Sequence, residues 1–176
     1  TSQDGYNYAG SWRRGQIVGE GKAIYPDGTI YSGSFSADLP DGTGTITYPS
    51  GEVYKGQWSA GNIHGRGLAT YPNGVTYEGE FRDTQYHGKG IMTHTDGYRY
   101  DGDWQDGERS GNGTATYPDG ATYEGAFQNG KRQGKGQLTM PDGFAYEGDW
   151  QEGEMTGAGV ATYSNGAVYT GLFSNG

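Results

Sequence analysis

The chain has 176 residues, of which 36 are glycine and only 31% are hydrophobic, and its formal net charge is −9. So little aliphatic content excludes an ordinary two-layer sandwich, and an acidic balance with scattered Lys and Arg weighs against nucleic acid or an anionic lipid surface as partner. There is no cysteine, which removes disulfides and thiolate metal sites, and no apolar run approaches the ~20 residues of a membrane-spanning helix. The sequence predicts a soluble segment, leaves its compartment open, and assigns any membrane association to a larger protein.

In chain order, residues 1–7 read as the end of a repeat, with Asp4-Gly5 aligning with Asp27-Gly28. From Tyr8 a frame Tyr-x-Gly-x-aromatic returns at Tyr31, Tyr54, Tyr77, Tyr100, Tyr123, Tyr146 and Tyr169, in steps of 23 residues without insertion. Residues 8–168 therefore form seven repeats, and residues 169–176 the first strand of an eighth, open one. The first repeat carries one of the two adjacent basic pairs, Arg13-Arg14, and the sixth the other, Lys131-Arg132; both are expected in loops.

The third repeat shows the logic of all. In "YKGQW" the alternation sets Tyr54, Gly56 and Trp58 on one face and Lys55 and Gln57 on the other. In "GRGLATY" Gly65, Gly67, Ala69 and Tyr71 share a face, opposite Arg66, Leu68 and Thr70. "PNG" then supplies turn chemistry, with Pro presetting φ and Gly accepting a positive φ. Each repeat is a β-hairpin, and the fold predicted is all-β: a single-layer antiparallel meander of hairpins, elongated and twisted, without helices. A one-layer sheet has no second sheet to cover its apolar face, so the rings are expected to lie flat across neighbouring strands over the glycines.

The frame ends alternately in Trp and Phe, and the second strand alternates with it. Ala23, Ala69, Ala115 and Ala161 follow the Trp frames, whereas Ile46, Met92 and Leu138 follow the Phe frames. This predicts volume compensation across each hairpin, a large ring against a small partner.

These residues resemble the MORN repeat (membrane occupation and recognition nexus): Tyr-x-Gly-x-(Trp/Phe), then Gly-x-x-x-Gly-x-Gly, then Tyr-Pro-(Asp/Asn)-Gly. The likeness runs from about Tyr8 to Phe173. Asp38 and Thr84 replace the first loop glycine, His94 and Met140 the second-strand Tyr, and Thr95 and Ser164 the Pro, so those turns are the test of the pattern. The resemblance implies a non-enzymatic scaffold or interaction module, in some members attached to lipid kinases or lysine methyltransferases.

A partner is accordingly expected on a concave aromatic face made by Tyr8, Trp12, Tyr31, Phe35, Tyr54, Trp58, Tyr77, Phe81, Tyr100, Trp104, Tyr123, Phe127, Tyr146 and Trp150. The partner would be a protein segment or another copy of the chain added at an open strand edge. A glycan stacked on the rings, or a lipid surface bound through a larger enzyme, is the alternative.

No residues assemble into catalytic chemistry. The acids beside the frame glycines, among them Glu78, Glu80, Asp101, Asp103, Glu124, Glu147 and Asp149, fall opposite the rings and read as a solvated, cross-strand-paired face. "DGDWQDGE" from Asp101 has its third acid at the wrong offset for a calcium loop. His64 and His87 stand one repeat apart, about 10 Å, too far to share a zinc ion. "GKG" and "GNG" lack the helix and the Lys-Ser/Thr of a phosphate loop. No cofactor, metal site or enzymatic activity is expected.

Overall fold

A computed structural model describes residues 5–176, so the first half of the Asp4-Gly5 turn lies outside the described residues. Among the described residues every regular element is a strand, and the strands follow one another antiparallel, in chain order, in a single open sheet. The chain divides into two compact units, Thr1–Tyr86 and His87–Gly176.

Unit 1 holds β1 (Asn7–Arg13), β2 (Gln16–Ile24), β3 (Ile30–Ser36), β4 (Leu39–Thr47), β5 (Val53–Ser59), β6 (Asn62–Thr70) and β7 (Thr76–Arg82). β8 (Gln85–Thr93) contains the division. Unit 2 continues with β9 (Arg99–Gln105), β10 (Glu108–Thr116), β11 (Thr122–Gln128), β12 (Lys131–Thr139), β13 (Ala145–Gln151), β14 (Glu154–Thr162) and β15 (Val168–Phe173). Odd strands carry the Tyr frame, and even strands carry the glycine-rich return.

Two turns alternate. The turn inside each repeat has two residues, as at Ala60 (φ 46) and Gly61 (φ 86) between β5 and β6. Positive φ at both positions is the type I′ geometry whose twist suits a tight hairpin. The turn between repeats follows Tyr25-Pro26-Asp27-Gly28. The Gly28 N–H donates to Tyr25 O (2.9 Å), and the Asp27 side chain accepts from the Thr29 N–H (2.9 Å). Replacement of the family residues does not open these turns: the His94 N–H still reaches Tyr98 O, and the Met140 N–H still reaches Phe144 O (2.8 Å each).

The core of this single layer is the ring-on-glycine row. A Cβ placed on Gly136 would stand 2.5 Å from Cζ of Tyr123, and one on Gly125 would stand 2.5 Å from Cα of Gly136. Only glycine lets the two strands close beneath the ring, and Tyr31, Tyr77, Tyr100, Tyr123 and Tyr146 are fully buried as a result. The ladder slips between the frame glycine and the frame aromatic, for example between Gly125 and Phe127. There the Tyr123 hydroxyl donates to Ala126 O (2.9 Å), and Tyr31, Tyr54, Tyr77, Tyr100 and Tyr146 make the same bond at 2.8–2.9 Å. One side chain thus covers the glycines and satisfies the carbonyl that the bulge frees.

Two expectations need correction. The Trp does not pack against the small residue of its own hairpin. Tyr54 already occupies that side over Gly67, so Trp58 leans back, its indole N–H donating to Gly44 O of β4 (3.3 Å) and its ring meeting Tyr31 (5.1 Å). Trp104 and Trp150 make the equivalent bonds to Gly90 O and Gly136 O (3.0 Å each). The strand under Trp58 carries Ile46, not Ala69. Secondly, Lys131-Arg132 is not in a loop: it opens β12, and Arg132 points to the ring face.

Candidate interaction site

The expected aromatic residues come together as a continuous T-shaped ladder within each unit. In unit 1 each frame aromatic meets the preceding frame Tyr: Phe35 with Tyr8 (5.2 Å), Trp58 with Tyr31 (5.1 Å), Phe81 with Tyr54 (5.0 Å). In unit 2 Phe127 meets Tyr100 (5.0 Å) and Trp150 meets Tyr123 (5.2 Å). Because each ring is covered by the next, Tyr31, Phe35, Tyr54, Trp58, Tyr77, Phe81, Tyr100, Trp104, Tyr123, Phe127, Tyr146 and Trp150 are all buried. Tyr8 is half-buried, and Trp12 is 59% exposed.

Burial raises the hydroxyls of Tyr31, Tyr54, Tyr100, Tyr123 and Tyr146 above their ordinary pKa, to about 12 at Tyr54 and Tyr123. These phenols are neutral donors at any ordinary pH.

A position that sequence reasoning overlooked completes the ring face. The second residue of each even strand is Ile17, Pro40, Ile63, Tyr86, Arg109, Arg132 and Met155, again in steps of 23. Ile17, Pro40 and Ile63 are buried beside the rings in unit 1. In unit 2 Arg132 lies 4.3 Å over the Trp150 ring and donates to Gly153 O (2.7 Å), while Arg109 lies 5.5 Å over Phe127 and donates to Tyr98 Oη and Gly130 O. The 23-residue period itself was the available signal, applied to a position with no constant residue type.

The groove of unit 2 opens on the other face, not on the aromatic one. It has a volume of about 1150 Å³ and a floor of frame and return glycines, Gly102 to Gly171. The reason is crowding: rings fill the side toward which the glycine α-hydrogens make room, which leaves the alternate side chains to line the open face. Along that face the register joins Asp101, Thr114, Glu124, Gln137, Glu147 and Val160 into one row across β9 to β14.

A neighbouring row holds ion pairs, Lys89–Asp103 and Lys135–Asp149 (2.6 Å each). Burial raises the Asp103 pKa, but the bonds from Lys89 and from the Asn112 N–H outweigh it and hold the carboxyl below its ordinary value. The Lys135 bond does the same for Asp149, helped by the Ala158 N–H. Asp101 is held by Arg99 (2.8 Å). Glu124 and Glu147, both exposed, form no ion pair among the described residues.

The stretch Asp101–Glu108, compared above with a calcium loop, is strand β9 and its tight turn, with its first two acids engaged by Arg99 and Lys89. Among the described residues no group of His, Asp and Glu could hold a metal ion, and no helix is long and apolar enough to cross a membrane.

The chain belongs to the MORN repeat family, whose model matches residues 8–30, 31–53, 54–76, 77–97, 100–122, 123–144 and 146–168. No curated protein matches it. Among solved structures it resembles the TCP domain of SAS-4 (dCPAP) of Drosophila melanogaster, solved in complex with a proline-rich motif of Ana2 (dSTIL). The two are 14% identical, with a TM-score of 0.52 over 88% of this chain and 87% of that one. It also resembles the G-box domain of the microcephaly protein CPAP, at 17% identity and a TM-score of 0.53 over 88% of this chain and 81% of that one. At these identities the likeness is one of fold.

Proposed function

We propose that this chain is a non-catalytic scaffold that holds an extended segment of another protein. The observation that carries the reading is the long groove of unit 2, open along the face opposite the rings and lined by side chains from successive strands. Membership in a repeat family and a fold shared with a domain solved with a proline-rich motif support it.

The aromatic row gives the groove its rigid backing. As a contact surface in its own right it is proposed only for its exposed member, Trp12. A lipid surface would need clustered cations, which the ion-paired row of the open face does not offer, and a glycan would need a run of uncovered ring faces, whereas the frame rings from Tyr31 to Trp150 are buried.

The experiment is capture of proteins from extract by the wild-type chain and by Gln137→Trp, which fills the groove from an exposed position, alongside sedimentation with anionic vesicles and a glycan panel. The reading expects a captured protein that Gln137→Trp loses while its circular dichroism is unchanged. Retention of every captured protein by the variant, or binding to vesicles or glycans alone, would overturn it.

A further inference from the structure

We propose that the unit 2 groove recognises a polyproline-II segment carrying Lys or Arg at every third residue. The proposal rests on the scaffold reading above and adds the chemistry of the occupant.

The central row of the groove alternates in function. Its carboxylates Asp101, Glu124 and Glu147 come from the odd strands, and the hydrogen-bonding groups Thr114 and Gln137 stand between them on the even strands. The adjacent row contributes no net charge, because Lys89 and Lys135 are spent on Asp103 and Asp149. The groove therefore presents a line of negative charge at a fixed interval, and two of its three carboxylates, Glu124 and Glu147, have no cation of their own among the described residues. The corresponding row of unit 1 reads Ser32, Thr45, Lys55, Leu68 and Glu78, with no repeated acid. The charge pattern is a property of unit 2, not of the fold.

The interval selects the conformation of the occupant. Acids two strands apart are separated by about 9.6 Å, twice the ~4.8 Å strand spacing. A polyproline-II chain lying across the strands returns to the same face every three residues, after about 9.3 Å. A β-strand returns every two residues, after about 6.8 Å, and drifts out of step at the first interval. A helix would need seven residues and about 10.5 Å, and its width of about 10–12 Å would hold its axis away from the glycine floor.

Polyproline II also leaves its carbonyls without internal partners. Thr114 and Gln137, placed between the acids, supply donors at the points where those carbonyls would face the sheet. Cation, carbonyl and cation on the segment thus meet acid, donor and acid on the groove.

The test is fluorescence anisotropy with labelled proline-rich peptides of equal length and charge, with Arg at every third position, at every second position, or in one block. Two registered pairs, at Glu124 and Glu147, on a partly exposed surface should favour the every-third peptide by about fivefold over the other two. Glu124→Gln with Glu147→Gln should remove that preference, whereas Glu52→Gln, at a turn of unit 1, should leave it intact. Equal binding of the three peptides, binding of none, or a preference that survives the double substitution would each overturn the proposal. The scaffold reading is judged separately: a partner lost on Gln137→Trp but retained by the double Gln variant upholds the scaffold and rejects the basic segment.

Discussion

At the residue scale the frame Tyr does two jobs that the sequence shows unequally. That Tyr123 lies on glycine follows from the motif, since a one-layer sheet must cover itself. That its hydroxyl repairs a bulge does not follow, because the slip between Gly125 and Phe127 is a property of pairing register. Tyr123→Phe should lower stability by about 1–2 kcal/mol through the carbonyl left without a partner, measured by urea unfolding. Gly136→Ala should cost more, about 3 kcal/mol or above, since its Cβ would enter the Tyr123 ring and no flexible end is present to yield. Alkaline unfolding gives an independent check. The unfolded chain ionises its phenols near pH ~10, whereas burial holds Tyr54 and Tyr123 neutral to about 12. Over that window the folded state keeps protons that the unfolded state has released. Stability is therefore full below about pH 10 and falls as the pH rises toward about 12. Phenolate absorbance that instead rose fully near pH ~10 without loss of circular dichroism would contradict the buried row.

At the scale of the hairpin, turn chemistry was legible wherever Pro and Gly mark it. The substituted turns show what the backbone tolerates: Asp38 (φ 69) and Thr84 (φ 68) hold the left-handed position that glycine fills elsewhere. Asp38 gains a bond from the Ile17 N–H (2.7 Å) through its carboxylate, and no such side-chain bond is seen for Thr84 among the described residues. Thr84→Gly should therefore stabilise by up to about 1 kcal/mol, while Asp38→Gly should gain little or lose, a contrast that urea midpoints will read. The alternation of Trp with Phe was visible, but its partner was not. Periodicity within a strand cannot say toward which neighbouring strand a ring leans, and Tyr54 excludes Trp58 from its own hairpin. The positions Arg109 and Arg132 were missed for a related reason. They share a place with Ile17 and Ile63, and stem burial under a cation looks like a loop when only hydrophobicity is read.

For the whole molecule, an all-β repeat array was legible in the sequence, whereas the side on which the groove of unit 2 opens was not. Rings that pack on glycine and on each other spend their surface on the fold, so the groove of unit 2 belongs to Asp101, Thr114, Glu124, Gln137 and Glu147. Those acids were legible as a solvated face. Their continuous row was not, because cross-strand register joins residues that lie 10 to 13 positions apart in the chain. The division of labour between the two faces is tested most directly by nuclear magnetic resonance, following amide and indole N–H shifts during titration with the every-third-Arg peptide. The account predicts shifts concentrated at Thr114, Glu124, Gln137 and Glu147, with the indole signals of Trp104 and Trp150 nearly still. A response led by those indoles, with the groove amides unmoved, would place the partner on the aromatic face and contradict it.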